Sequence, residues 1–210
     1  MTVNINGKNV LQEYGLILIS KNVENATPKT IMVDIPGADG KLDITDAMGV
    51  VRYQNRKINL KFEVIGGPVK TARVAALVAN AYNGARVNLI FSEDPGYFYE
   101  GRVVGMTCQQ KNASSELTMT VDCQPYAKTV GEFTVTITGS GTVFIAGSRM
   151  PTVPTITVAD GSTTIMARGK SHSLEAGTYA LHDMPVLDGL NTFEVSGTAK
   201  VTWTYRKGKL

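Results

Sequence analysis

Apolar residues recur at every second position over much of the chain. Ile58, Leu60, Phe62 and Val64 alternate with Asn59, Lys61 and Glu63, the signature of a strand with one buried and one wet face, and Gly66-Gly67-Pro68 breaks it. Leu117, Met119, Val121 and Cys123 repeat the pattern, with Thr118, Thr120 and Asp122 between them. Before them, residues 87–91, a turn at Glu93-Asp94-Pro95-Gly96 and a long run over residues 97–108 predict a hairpin, and a second turn over residues 111–115 leads into the Leu117 strand. One segment departs from this period. Residues 70–83 are rich in Ala and lack Gly and Pro. They place Val74, Leu77, Val78 and Ala81 at spacings of three and four and stop at Gly84, which predicts a single helix.

The second part of the chain is more uniform. It holds 15 threonines in its last 82 residues against 8 in the first 128, and many alternate with apolar residues, as Thr134, Thr136 and Thr138 do with Phe133, Val135 and Ile137. Ile156 with Val158, Phe193 with Val195, and Val201 with Trp203 and Tyr205 supply further apolar faces. Gly139-Ser140-Gly141, Ala159-Asp160-Gly161 and Asp188-Gly189 read as turns between strands. Short strands with Gly-rich turns and no helical period predict a small β-sandwich or barrel. The chain as a whole therefore reads as mainly β. An N-terminal barrel or sandwich domain with one α-helix and a β-hairpin spans residues 1–128, a C-terminal sandwich spans 129–210, and the junction falls within residues 125–131.

Composition narrows the function more than it names one. The 210 residues are 43% hydrophobic and 19% charged, enough to bury a core without disulfide staples. The net charge of +3 divides as +2 over residues 1–128 (14 basic, 12 acidic) and +1 over 129–210 (7 basic, 6 acidic), too even for a polyanion binder. The early apolar run Leu16-Ile17-Leu18-Ile19 is far too short to span a bilayer and unlike a signal peptide, so folding in a reducing cytoplasm is expected. In that setting Cys108 and Cys123 read as small buried hydrophobes, and the sequons at Asn25 and Asn112 carry no weight.

The residues that could do chemistry are not arranged for it. His172 and His182 lie in turn-rich stretches with no nucleophile elbow near them, and His182 and Asp183, as neighbours on a strand, would point to opposite faces. The two Cys and two His lack the short ligand pairs of zinc sites. Asp34, Asp39, Asp43 and Asp46 are spaced by five, four and three, which does not match a calcium loop. Gly139-Ser140-Gly141 leads into no helix that could cradle a phosphate. Trp203 and Tyr205 share parity with Val201 and read as core rather than as a sugar platform. No catalytic, cofactor-binding or metal-binding residue is expected.

The order of motifs is more informative than any one of them. Asp34-Ile35-Pro36-Gly37-Ala38-Asp39-Gly40-Lys41-Leu42-Asp43 is followed by Val51-Arg52-Tyr53-Gln54-Asn55-Arg56-Lys57-Ile58, then the helix ending Asn80-Ala81-Tyr82-Asn83-Gly84. Glu93-Asp94-Pro95-Gly96-Tyr97-Phe98-Tyr99-Glu100-Gly101 comes next, and then Cys123-Gln124-Pro125-Tyr126. In this order they resemble the first domain of phage distal tail proteins over roughly residues 30 to 126. The stretch from Gly189-Leu190-Asn191-Thr192 to Tyr205-Arg206-Lys207-Gly208 is similar to the closing strands of that family's second domain.

The resemblance implies a structural virion protein of a long non-contractile siphophage tail, not an enzyme. In that family the first domain forms a hexameric ring, a baseplate hub between the tail tube protein and the receptor-binding proteins of the tail tip. DNA passes through its channel only in transit. The second domain is galectin-like and projects outward. Assembly in the host cytoplasm, a final place at the virion tail tip and no membrane insertion follow as expectations. This chain has no long insertion in its second domain of the kind that carries sugar binding in some longer relatives. Two other readings stand beside this one: a carbohydrate-binding β-sandwich module, and a tail tube or baseplate subunit. Ring contacts would be heterologous, which exposed strand edges can supply. The hairpin with Phe91, Tyr97, Phe98 and Tyr99 suits either core or contact, and Arg52, Arg56, Lys57 and Lys61 suit either a channel lining or a solvated strand face.

Overall fold

Period-two sequence becomes antiparallel sheet almost throughout, and the fold is mainly β. The computed structural model describes residues 1–47, 49–111 and 113–210, which divide into two units, Met1–Pro125 and Tyr126–Leu210. Asn112, which belongs to the second sequon and to the turn expected over residues 111–115, lies outside the described residues.

The first unit contains β1 (Val3–Ile5), β2 (Lys8–Asn9), α1 (Val10–Tyr14), β3 (Ile17–Val23), β4 (Met32–Asp34), β5 (Lys41–Asp43), β6 (Arg56–Ile65), α2 (Pro68–Tyr82), β7 (Arg86–Phe91), β8 (Tyr97–Gln110) and β9 (Ser114–Cys123). Within this unit the strands pair in the order β2-β1-β7-β8-β9-β6-β3. The register pairs Leu60 with Met119 and Phe62 with Leu117, so the apolar faces of β6 and β9 coincide and bury Ile58, Leu60, Phe62, Met119 and Val121. Over this face lies α2, which contributes Val78 and Tyr82 to the same core.

Two local expectations change here. The main helix begins at Pro68 rather than at residue 70, because Gly67 serves as N-cap and Pro68 occupies the first turn, where its missing N–H is no loss. A second helix exists, α1, with the Asn9 side chain accepting from the Leu11 and Gln12 amides at 3.0 and 3.4 Å. It ends at Gly15, whose φ of +70° a side chain would resist. Five residues are too few to show a helical period.

The second unit contains β10 (Ala127–Thr129), β11 (Phe133–Thr138), β12 (Gly141–Ala146), β13 (Thr155–Ala167), β14 (Lys170–Ala180), β15 (Leu190–Gly197), β16 (Lys200–Tyr205) and β17 (Gly208–Lys209). The order is β11-β16-β13-β15-β12, with β14 also on β13 and β10 paired with β17. Ala159-Asp160-Gly161, expected as a turn between strands, instead lies inside β13. The register slips between Val158 and Ser162, and Gly161 takes a φ of +69°. This bulge bends one long strand, so its first half pairs with β16 and its second half with β15. Trp203, Phe193, Ile145 and Ile156 fill the core.

Candidate assembly surface

Between β3 and β6 the chain leaves the main sheet. There β4 and β5 pair only with each other, matching Met32 with Asp43, Val33 with Leu42 and Asp34 with Lys41. Pro36, Gly37 and Gly40 make the turn, with φ of +82° and +77° at the two glycines. The arm is tied along its length. The Ile31 amide donates to Thr45 Oγ1 at 3.0 Å, the Thr45 amide donates to Asp43 Oδ1 at 2.9 Å, and Lys41 meets Asp34 at 3.4 Å. Hydrogen bonds from Thr45 hold the Asp43 carboxyl below its usual range. At the base, the Lys29 amide donates to the Arg52 carbonyl and the Gln54 amide to the Thr27 carbonyl, both at 2.8 Å.

This ordered arm is bare. Ile31, Met32, Val33, Ile35 and Leu42 are 42–50% exposed, and none belongs to the core of its unit. An isolated two-stranded hairpin is marginal in water, and this many large exposed apolar side chains on one make it a candidate contact surface. The four aspartates considered for calcium fall on or beside the arm. Among the described residues no three His, Cys, Asp or Glu side chains are grouped to hold a metal ion.

The other candidate residues are dispersed. Phe91 is buried and meets Tyr99 edge-on at 5.8 Å, with the Lys21 ammonium 4.4 Å above its ring, so this part of the β7–β8 hairpin is core. The four basic residues do not share a face. Lys57 and Lys61 are exposed, and Lys61 pairs at 3.0 Å with Glu116, whose carboxyl the hydrogen bonds from Lys61 and Lys111 hold below its ordinary value.

Arg56 is the exception, because it has the parity of Ile58 and Leu60. It is 4% exposed, donates to the Pro125 carbonyl and stands 5.6 Å from the Tyr99 ring centroid. Burial lowers its pKa. Arg56→Ala leaves that carbonyl without its donor and is expected to destabilise the first unit by about 2 kcal/mol in urea unfolding. Arg56→Lys should restore less than half of the loss, since an ammonium lacks the planar fork. Full recovery by Lys would mean that only charge matters there.

The cysteines also separate. Cys123 is buried, and burial pushes its thiol up to about 12, whereas Cys108 is exposed, one of the four exposed residues that end β8. The expectation that both are buried therefore fails at Cys108. An aromatic disulfide reagent at pH 8 should titrate one thiol per native chain and two after unfolding; two in the native protein would contradict the burial of Cys123.

His172 lies on a strand, β14, rather than in a loop. Its Nε2 stands 3.0 and 3.2 Å from the two Asp183 oxygens, and the Lys170 ammonium lies 3.6 Å from the same carboxylate. Asp183 thus meets His172 and not its sequence neighbour His182. The contact ties the loop after β14 back to that strand, and hydrogen bonding to His172 holds the Asp183 carboxyl below its usual value. Trp203 and Tyr205 are core residues; Tyr205 donates its hydroxyl to the Ala146 carbonyl at 3.2 Å.

No family model matches the chain, and no curated protein does. A solved structure does match. Superposition on the crystal structure of SPP1 Dit (gp 19.1) covers 100% of this chain and 99% of that one, with a TM-score of 0.73 at 16% sequence identity. The chain has the fold of SPP1 Dit. SPP1 Dit is described as a paradigm of the hub adsorption apparatus in phages that infect Gram-positive bacteria. The match runs through both units, so the Dit fold accounts for the whole chain rather than for one shared β-sandwich.

Proposed function

We propose that this protein is a structural hub of a long non-contractile phage tail, joining the tail tube to the host-adhesion tip. The observation that carries the reading is the apolar arm built on β4 and β5, on a chain whose full length follows the SPP1 Dit fold. An arm on one side of a unit contacts a different surface of the next copy. Such heterologous contacts close into rings when the rotation per subunit divides the circle, and six copies are the number the sequence resemblance implies. Residues 1–128 make the ring, and residues 129–210 form the outward, galectin-like domain that meets tip and receptor-binding proteins.

The protein works by assembly and not by turnover. DNA passes through the ring without being held. Across the outward face of the first sheet Arg86, Arg102, Asp122 and Lys57 stand in one cross-strand row, and Lys61 is paired with Glu116. Mixed charge of this kind gives a weak grip on phosphates. No helix among the described residues is long and apolar enough to cross a membrane.

Gold-labelled antibody against the chain, applied to intact virions, should mark the end of the tail distal to the capsid. Label along the whole tube would instead support a tube subunit, and absence of the chain from purified virions would overturn the proposal.

A further inference from the structure

One edge of the second unit is left unguarded. β11 is an outermost strand and pairs with β16 alone. Natural sheets blunt such edges with charges, proline or bulges, because a row of bare N–H and C=O groups templates another strand. From Phe133 to Ser148 the chain has neither a charged residue nor a proline, and the register of β11 on β16 runs without a slip from Phe133↔Tyr205 to Thr138↔Lys200. By contrast β14, which pairs with β13 alone, carries Lys170, His172 and Glu175. β12 is uncharged as well and leaves Phe144 59% exposed, but its Ala146 carbonyl already accepts from the Tyr205 hydroxyl at 3.2 Å.

Register says which groups of β11 are bare. The Gly139 amide donates to the Ala199 carbonyl at 3.0 Å, one step beyond the Thr138↔Lys200 pair. Bonded pairs alternate along an antiparallel ladder, so Ile137 with Val201, Val135 with Trp203 and Phe133 with Tyr205 exchange the bonds to β16. Thr134, Thr136 and Thr138 therefore turn their N–H and C=O groups toward the open edge. The 3.0 Å contact between the Thr136 and Thr202 hydroxyls agrees, since side chains stand closest across the pairs that exchange no bonds. The core is open on the same side. Val135 and Ile137 pack against it yet stay half-buried, and Phe133 is 40% exposed.

We infer that β11 receives an extended segment of another protein as an added antiparallel strand. The three threonines supply main-chain bonds at every second residue, a spacing that only an extended backbone matches. Residues of the segment opposite Val135 and Ile137 lie over the half-covered core, so they are apolar, and those opposite the threonines are polar or β-branched. A carboxylate or ammonium opposite Val135 or Ile137 would be desolvated without a partner, since β11 carries no charge to meet it. The occupant is thus an uncharged stretch of about five residues with alternating apolar side chains. The inference rests on the reading of the second unit as the one that meets other tail proteins. Its test is read on the free chain, whereas the hub is tested on virions.

The probe is the acetylated and amidated peptide Lys-Thr-Val-Thr-Val-Thr-Lys, titrated into the full chain and followed by residue-resolved hydrogen exchange. Binding with a Kd of about 0.1–1 mM is expected. At saturation the amides of Thr134, Thr136 and Thr138 should exchange about tenfold more slowly, while those of Val135 and Ile137, already bonded to β16, change far less. N-methylation of the peptide's central threonine removes the N–H that faces Thr136 and should weaken binding about tenfold. Thr136→Pro should do the same and leave the melting curve unchanged, because an edge strand tolerates proline where its N–H faces outward. The inference falls if the peptide slows no amide of β11, if protection is uniform along the strand, or if the N-methylated peptide binds as well as its parent. Protection that follows protein concentration without peptide would make a second copy the occupant and overturn it too. Failure of the peptide with virions still labelled at the tail tip would strike this inference and leave the hub standing.

Discussion

Replacing Ile35 and Leu42 together by Asp is expected to abolish ring formation and leave a folded monomer. Both side chains sit on the arm, 46% and 50% exposed, and neither touches the core of its unit. In the free chain the change is solvated and costs little. In a ring each contact would lose two apolar side chains, of the order of 1.5–3 kcal/mol each, and would bury two carboxylates besides. The penalty recurs at every interface around the ring, so partial assembly is not expected. Native mass and far-UV circular dichroism, read together, check it. A monomeric mass with an unchanged melting curve is the expected pair. A ring that survives the double substitution would place the contact elsewhere, and a collapsed melting curve would show that the arm belongs to the fold after all.

Trp203→Ala should be the most damaging single change in the second unit, costing about 3–5 kcal/mol. Trp203 is fully buried, with its ring centroid 6.0 Å from that of Phe193. It lies at the centre of β16, opposite Val135 on one side and Ile156 on the other. A domain of this size has about 5–15 kcal/mol to lose, so the variant sits near the edge of folding at 37 °C. Trp203→Phe should cost much less than removal of the ring volume suggests. The indole Nε1 is buried with no hydrogen-bond partner, and replacing it by carbon removes an unmet donor worth roughly 1–3 kcal/mol. Urea unfolding of the two variants separates the contributions. Equal losses for Ala and Phe would mean that the indole N–H has a partner and that the bond matters more than the volume.

The strands were legible because their burial alternates as their sequence does. β6 and β9 bury every second residue from end to end, and a period of two is all that such a pattern requires. The same rule, applied strictly, would have placed Arg56 inside with Ile58 and Phe144 outside between Val143 and Ile145. A charged residue at a core position and an aromatic one at a wet position both run against the habit of sorting residues by type. α1 was hidden by its length, although Asn9 and Gly15 are ordinary helix boundaries. Asp160-Gly161 misled because the same dipeptide serves a turn or a bulge, and only the partners of β13 on either side decide between them.

The candidate surface was harder to read than the fold. Ile31, Met32, Val33 and Ile35 are as apolar as a core strand, and nothing local says that β4 pairs only with β5 and stays outside the main sheet. The contact between His172 and Asp183 likewise depends on how the loop after β14 folds back, which no spacing encodes.

The most direct test of the account is the native mass of the purified chain over a concentration series, with negative-stain images of the largest species. The account predicts a discrete six-subunit species seen end-on as a closed ring with an axial hole. A monomer at every concentration, or open filaments of indefinite length, would contradict it.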